Sequence, residues 1–116
     1  MPMNEYEEDN GMSLNAYQFA AGRFQLFSAP PEERVFGLMG ECGEIAEVFK
    51  RKFRGDYETH GEFVNALLKE SGDVLWYLSR LLADYDISLQ EVAEVNISKL
   101  TDRQIRNTLV GKGSNR

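Results

Sequence analysis

Leu14, Tyr17, Ala21, Phe24 and Phe27 recur at steps of three and four residues, the spacing that lines one side of a 3.6-residue helix. Ser13 stands just before them and can cap that helix, expected over about residues 14 to 27. Ser28-Ala29-Pro30-Pro31 stops it, and Pro31 suits the first turn of a second helix running to about Arg54. Glu32 and Glu33 sit at its positive end and Lys50, Arg51, Lys52 and Arg54 at its negative end, which complements the dipole. Within it Val35, Leu38, Cys42, Ile45 and Phe49 form the expected buried stripe. After a linker from Gly55 to Gly61, a third helix of about 62 to 84 carries Leu67, Ser71, Val74, Leu78 and Leu81 in the same rhythm. Asp86-Ile87-Ser88 makes a turn, and Ser88 with Glu91 forms a capping box for a fourth helix of about 89 to 107. No alternating β-branched run interrupts this pattern, so the expected fold is all-α, a four-helix protomer with short connections. Residues 1–12 and 108–116 read as flexible ends around a domain at 13–107.

Superimposing Leu38 on Leu67 places Ile45 on Val74, Glu41 on Glu70 and Glu44 on Asp73. Each middle helix therefore presents a pair of carboxylates three residues apart on the same flank, expected to lie outside the apolar seam. In an antiparallel hairpin the midpoint of Glu41 and Asp73 is residue 57, as is that of Glu44 and Glu70, so both pairs fall at one level. A single such pair is commonplace on a helix surface. Four carboxylates gathered in one place repel one another unless a cation neutralises them, and an all-oxygen set favours Mg²⁺ or Mn²⁺ over zinc or copper.

Composition narrows the chemistry. With 116 residues the chain has room for one domain. A net charge of -6 is the wrong field for nucleic acid backbones or anionic lipid. Cys42 and His60 are the only residues of their kinds, which excludes an intramolecular disulfide, Cys-cluster metal sites, Ser-His-Asp catalysis and multi-His zinc. Cys42 reads as a small hydrophobe and His60 as a linker residue. A di-iron carboxylate bundle would need Glu-x-x-His motifs that neither ridge contains. The longest apolar run, Val74 to Leu78, is far short of a membrane span, and the acidic start has no signal-peptide pattern, so a cytoplasmic protein is expected. Trp76 and Tyr77 lie opposite the third helix's main stripe and imply burial against another helix or subunit. On the fourth helix Asn96, Lys99 and Arg103 share a face. They are ordinary polar positions there, but beside a metal cluster Lys99 can meet phosphate as a point charge and Asn96 can donate to it.

Three segments, Gly37 to Glu47, Leu68 to Leu78 and Glu94 to Leu100, closely resemble the motifs of the MazG-like nucleotide pyrophosphohydrolases, members of the all-α NTP pyrophosphatase superfamily. The resemblance spans about residues 13 to 104. It implies that Glu41, Glu44, Glu70 and Asp73 hold Mg²⁺ and that Asn96 and Lys99 meet the triphosphate, with Lys50 or Arg51 at the mouth. Glu41 or Glu44 would orient or deprotonate the attacking water. Tyr17, Gln18, Phe19 and Phe24 are candidates for reading base and sugar. The implied reaction is Mg²⁺-dependent cleavage of a nucleoside triphosphate to monophosphate and pyrophosphate, serving nucleotide-pool cleansing or regulation. The implied assembly is a homodimer or homotetramer whose site a neighbouring subunit completes. The family's EExxE segment has Gly40 at its first acidic position here, and Glu47 lies one turn beyond Glu44. The alternatives are a catalytically silent nucleotide-binding or regulatory relative, and a purely structural helical interaction module that neither binds nucleotide nor releases pyrophosphate.

Overall fold

A computed structural model describes residues 11–25 and 28–110, with side chains to residue 108. Four α-helices follow one another: α1 (Leu14–Ala21), continued by a 3-10 turn (Gly22–Phe24), α2 (Pro31–Arg54), α3 (His60–Ala83) and α4 (Leu89–Val110). The all-α, four-helix expectation is met, and among the described residues no helix is long and apolar enough to cross a membrane. Of the ends expected to be flexible, 1–12 and 108–116, residues 1–10 and 111–116 lie outside the described residues, as does Phe27 of the first apolar stripe, while 108–110 continue α4 past its expected end at 107.

Local signals account for the boundaries. Ser13 Oγ accepts from Ala16 N–H at 3.1 Å. The helix expected to reach residue 27 tightens into 3-10 geometry at Gly22. Pro31 occupies the first turn of α2 as expected. That helix ends at Gly55, whose left-handed φ of 79° lets the amides of Gly55 and Asp56 close back onto Lys52 and Arg51 at 3.0 and 2.9 Å. The third helix begins at His60, earlier than the sequence suggested, because Thr59 caps it: Thr59 Oγ1 accepts from Glu62 N–H at 3.1 Å. His60 thus belongs to the helix, its ring tilted against Phe63 at 5.8 Å. Ser88 and Glu91 form the reciprocal capping box at 2.9 and 3.0 Å.

The dominant packing is the antiparallel pair α2 and α3, with α1 lying across α3 and the start of α4 docked on α1. Phe49 meets Phe63 edge to face at 5.3 Å, and Lys52 lies over the Phe63 ring at 5.1 Å. Farther along, Gly37 receives Tyr77 so closely that a Cβ there would stand 2.2 Å from its Cε1. Beyond it Arg34 pairs with Asp84 at 3.0 Å. Trp76 Nε1 donates to the Ala21 carbonyl at 3.0 Å, so this ring finds its cover on α1 within the protomer.

The buried line of α2 corrects the expected stripe. Arg34 and Val48 are buried and Leu38, Glu41 and Ile45 partly so, whereas Val35, Cys42 and Phe49 are exposed; on α3 Leu67, Val74, Leu78 and Leu81 are partly buried as expected and Ser71 is exposed. The contact face keeps Leu38 and Ile45 and includes Arg34, Gly37, Glu41 and Val48 beside them, with Tyr77 of α3 seated closely on Gly37. Cys42 is accordingly no core residue. Many apolar side chains remain uncovered in the protomer, among them Phe36, Met39 and Phe53 on α2, Leu68 on α3, and Val95, Ile97 and Ile105 on α4. Hydrophobic periodicity marks the faces that need cover from any source, and one helix contact covers only part of them.

Candidate metal centre

The line 34–37–41–48 has seam spacing, and it carries a carboxylate into the contact between α2 and α3. One oxygen each from Glu41, Glu70 and Asp73 lies within 4.8 Å of the other two. Glu41 and Glu70 are half-buried and Asp73 is exposed, so the cluster opens on one side. The hairpin register, centred at residue 57 as expected, brings the two ridges to the same height. Contrary to expectation, Glu41 is half-buried at the seam, whereas Glu44 is exposed outside it as expected. Glu44 lies outside the triad but close enough for its charge to be felt at Glu41.

Glu41 is the electrostatic centre of the group. Its carboxyl is pushed above the ordinary value of 4.5, first by desolvation, then by the charges of Asp73, Glu70 and Glu44, and by a hydrogen bond shared with Asp73. Glu41 Oε2 is buried without a hydrogen-bond partner among the described residues. A charged, unpartnered oxygen at a helix-helix seam is costly, and a bound cation removes that cost. Six-coordinate Mg²⁺ holds oxygens at about 2.1 Å, so neighbouring ligands stand about 3 Å apart and opposite ones about 4.2 Å apart. The triad's oxygens, all within 4.8 Å of one another, are on that scale. The oxygen-only donor set and the orphaned atom therefore fit a hard divalent cation.

Tyr17 brings α1 to the same place, its hydroxyl held above the usual value of 10.0 by burial and by the nearby Asp73 carboxylate. Gln18 is committed elsewhere. Its amide donates to the carbonyls of Ser79 and Ile87, both at 3.1 Å, and accepts from Leu89 N–H at 2.8 Å. It is a latch joining α1, α3 and the start of α4, not a free reader of a ligand. Phe19 is exposed, with Arg23 at 5.7 Å over its ring. Asn96 and Lys99 line shallow α4 surface with Val95, outside the triad, and Lys50 and Arg51 are exposed two to three turns along α2 from Glu41. At Gly40, where the family motif has its first acid, an added Cβ would meet nothing within 4 Å, so packing does not forbid a side chain there. Glu47 is exposed.

Comparison with known proteins decides the family. The model of the MazG nucleotide pyrophosphohydrolase domain matches residues 30–106. The chain belongs to the MazG family. The matched span includes the whole triad together with Glu44, Asn96 and Lys99, and leaves out Tyr17, Gln18 and Phe19. The Gene 37 protein of Mycobacterium phage L5 is similar to this MazG-family chain, 40% identical over 114 residues, which is 90% of this chain and all of that protein. No solved structure matches it.

Arg34 and Asp84 were not singled out by sequence. Arg34 is 6% exposed, and a signal for it existed: a cation near the start of a helix opposes the dipole and needs a partner. Which carboxylate supplies that partner, 50 residues away, only the fold reveals.

Proposed function

We propose that this MazG-family protein is a Mg²⁺-dependent nucleoside triphosphate pyrophosphohydrolase. The observation that carries the proposal is the gathering of Glu41, Glu70 and Asp73 carboxylate oxygens within 4.8 Å, with one Glu41 oxygen buried and unpartnered among the described residues. Glu41, Glu70 and Asp73 would hold the ion, with Mn²⁺ as a substitute. When bound, the cation supplies neutralisation of the triphosphate's charge and acidifies water nearby. The remaining work falls to the chain. Glu44, outside the triad but near enough for its charge to act on Glu41, would accept the proton of the attacking water at its carboxylate. The water oxygen bonds to phosphorus as the α–β anhydride bond breaks, and its electron pair leaves with pyrophosphate. Tyr17, near Asp73, would border the site from α1. Asn96 and Lys99 point to assembly: α4 carries them beside exposed Val92 and Val95, and in a homodimer or homotetramer they would meet the triphosphate at a neighbouring protomer's site.

The test is a panel of ribo- and deoxyribonucleoside triphosphates with Mg²⁺, detecting pyrophosphate and orthophosphate separately. Wild type should release pyrophosphate with little orthophosphate, and Asp73→Asn should lose at least about 100-fold while keeping its helix content. Nucleotide binding with no pyrophosphate from any member of the panel would make the protein a silent relative.

A further inference from the structure

One cleft in the protomer has walls suited to a flat ring and a buried cation in its lining. It measures about 570 Å³ and lies between the 3-10 turn, the start of α2 and the end of α3, lined by Phe24, Glu33, Arg34, Phe36, Trp76 and Tyr77 among others. Arg34 Nε is taken by Asp84 Oδ2 at 3.0 Å. Its two terminal amino groups make no hydrogen bond among the described residues, although the residue is only 6% exposed. Asp84 thus fixes the plane of a guanidinium whose other donors are left for something in the cleft. A cationic, donor-only fork among aromatic rings suits a planar ring bearing acceptors at its edge.

The cleft's position relative to the carboxylates sets the rest. Tyr77 lines the cleft, abuts Gly37, and stands one helical turn from Asp73. Arg34 is seven residues before Glu41 on α2, about 10 Å along the axis. That is the scale of the distance between a nucleobase and its own phosphates. We infer that this cleft binds the base of the nucleotide and that Arg34 and Glu33 make it favour guanine. Guanine offers O6 and N7 as adjacent acceptors, the pair that an arginine fork bonds best. On the other half of its edge it offers N1–H and the 2-amino group, which the Glu33 carboxylate in the same lining can accept. Adenine places an amino donor where guanine has O6, against the donors of Arg34. The assignment rests on the pyrophosphohydrolase reading for its substrate class, but the cleft can be tested without turnover.

The chain has one tryptophan, so its indole N–H gives a single side-chain resonance in an amide-correlation NMR spectrum of ¹⁵N-labelled protein. Guanosine monophosphate, titrated in metal-free buffer, should shift that resonance at a concentration about 10-fold or more below that needed for adenosine monophosphate. Arg34→Lys keeps a charge for Asp84 but loses the fork, and Glu33→Gln loses the anion. Each should bring the two nucleotides toward parity while the amide spectrum stays folded. Phe36→Ala, at a position 72% exposed, should weaken both nucleotides without unfolding the chain. Equal affinity for the two in wild type, or an indole resonance that neither moves, would overturn the assignment. So would a Phe36→Ala variant that changes the sedimenting mass while leaving nucleotide binding intact, since a second copy would then be the occupant. Guanosine monophosphate binding without pyrophosphate release from any triphosphate would sink the enzymatic reading and leave the cleft. Pyrophosphate release at equal kcat/KM from GTP and ATP would sink the cleft and leave the enzyme.

Discussion

Replacing Glu41 by Gln should stabilise the protein when no divalent cation is present and remove most of the stabilisation that Mg²⁺ confers. The three carboxylate oxygens lie within 4.8 Å of one another, and at that separation two unit charges repel by about 1–2 kcal/mol for an effective dielectric between 40 and 80. Glutamine removes two of these repulsions, those to Glu70 and Asp73. With counterion screening of the exposed partners, the net gain should be about 1–2 kcal/mol at low salt. For a domain of about 100 residues, each kcal/mol moves Tm by about 4–8 °C. The pH dependence has a definite sign. The folded Glu41 carboxyl lies above its ordinary value of 4.5, so its charged form is disfavoured in the fold. Metal-free wild type is relieved of the penalty below about pH 4.5 and loses stability as pH rises through the folded value. The advantage of Glu41→Gln should therefore be absent near pH 4 and full at pH 8. A ligand at ten times its dissociation constant adds about 1.4 kcal/mol, enough for Mg²⁺ to bring wild type level with the variant. Thermal melts at pH 4 and pH 8, with EDTA or with Mg²⁺, measure all four quantities. A metal-free Glu41→Gln protein that melts below wild type at pH 8, or that gains as much from Mg²⁺ as wild type does, would refute the cation-centred account of this seam.

Three further outcomes follow from the packing and the proposed site. Gly37→Ala forces a Cβ to within 2.2 Å of the Tyr77 ring, so denaturant titration should show a loss of about 1–3 kcal/mol from overpacking. Gln18→Leu removes three hydrogen bonds to backbone groups of three segments. Hydrogen exchange should rise at Leu89 and through the first turn of α4, with a global loss of about 1–3 kcal/mol. Lys99→Ala should lower kcat/KM for a triphosphate by about 10- to 1,000-fold while leaving Mg²⁺ affinity nearly unchanged; full activity in that variant would exclude Lys99 from the mechanism.

Much of this protein was written in local sequence. Ser13, Pro31, Gly55 and the Ser88–Glu91 box act within a turn of themselves, so the helices they bound were legible without a partner. The Thr59–Glu62 cap was equally local and shows why α3 starts at His60. The level of the carboxylates was also legible, because a short linker leaves an antiparallel hairpin only one register, centred at residue 57. The faces were another matter. Periodicity identifies a helix's apolar positions but not which of them a given neighbour covers. Leu38 and Ile45 are half-buried as expected, but Val35, Cys42 and Phe49 are exposed, while Glu41 is half-buried and Arg34 is buried against Asp84. Asn96 and Lys99 line α4 surface apart from the triad. Long-range pairings such as Arg34 with Asp84, or Gln18 with Ser79 and Leu89, depend on where two rigid elements meet in space. No spacing along the chain encodes that meeting, so only the tertiary structure decided it.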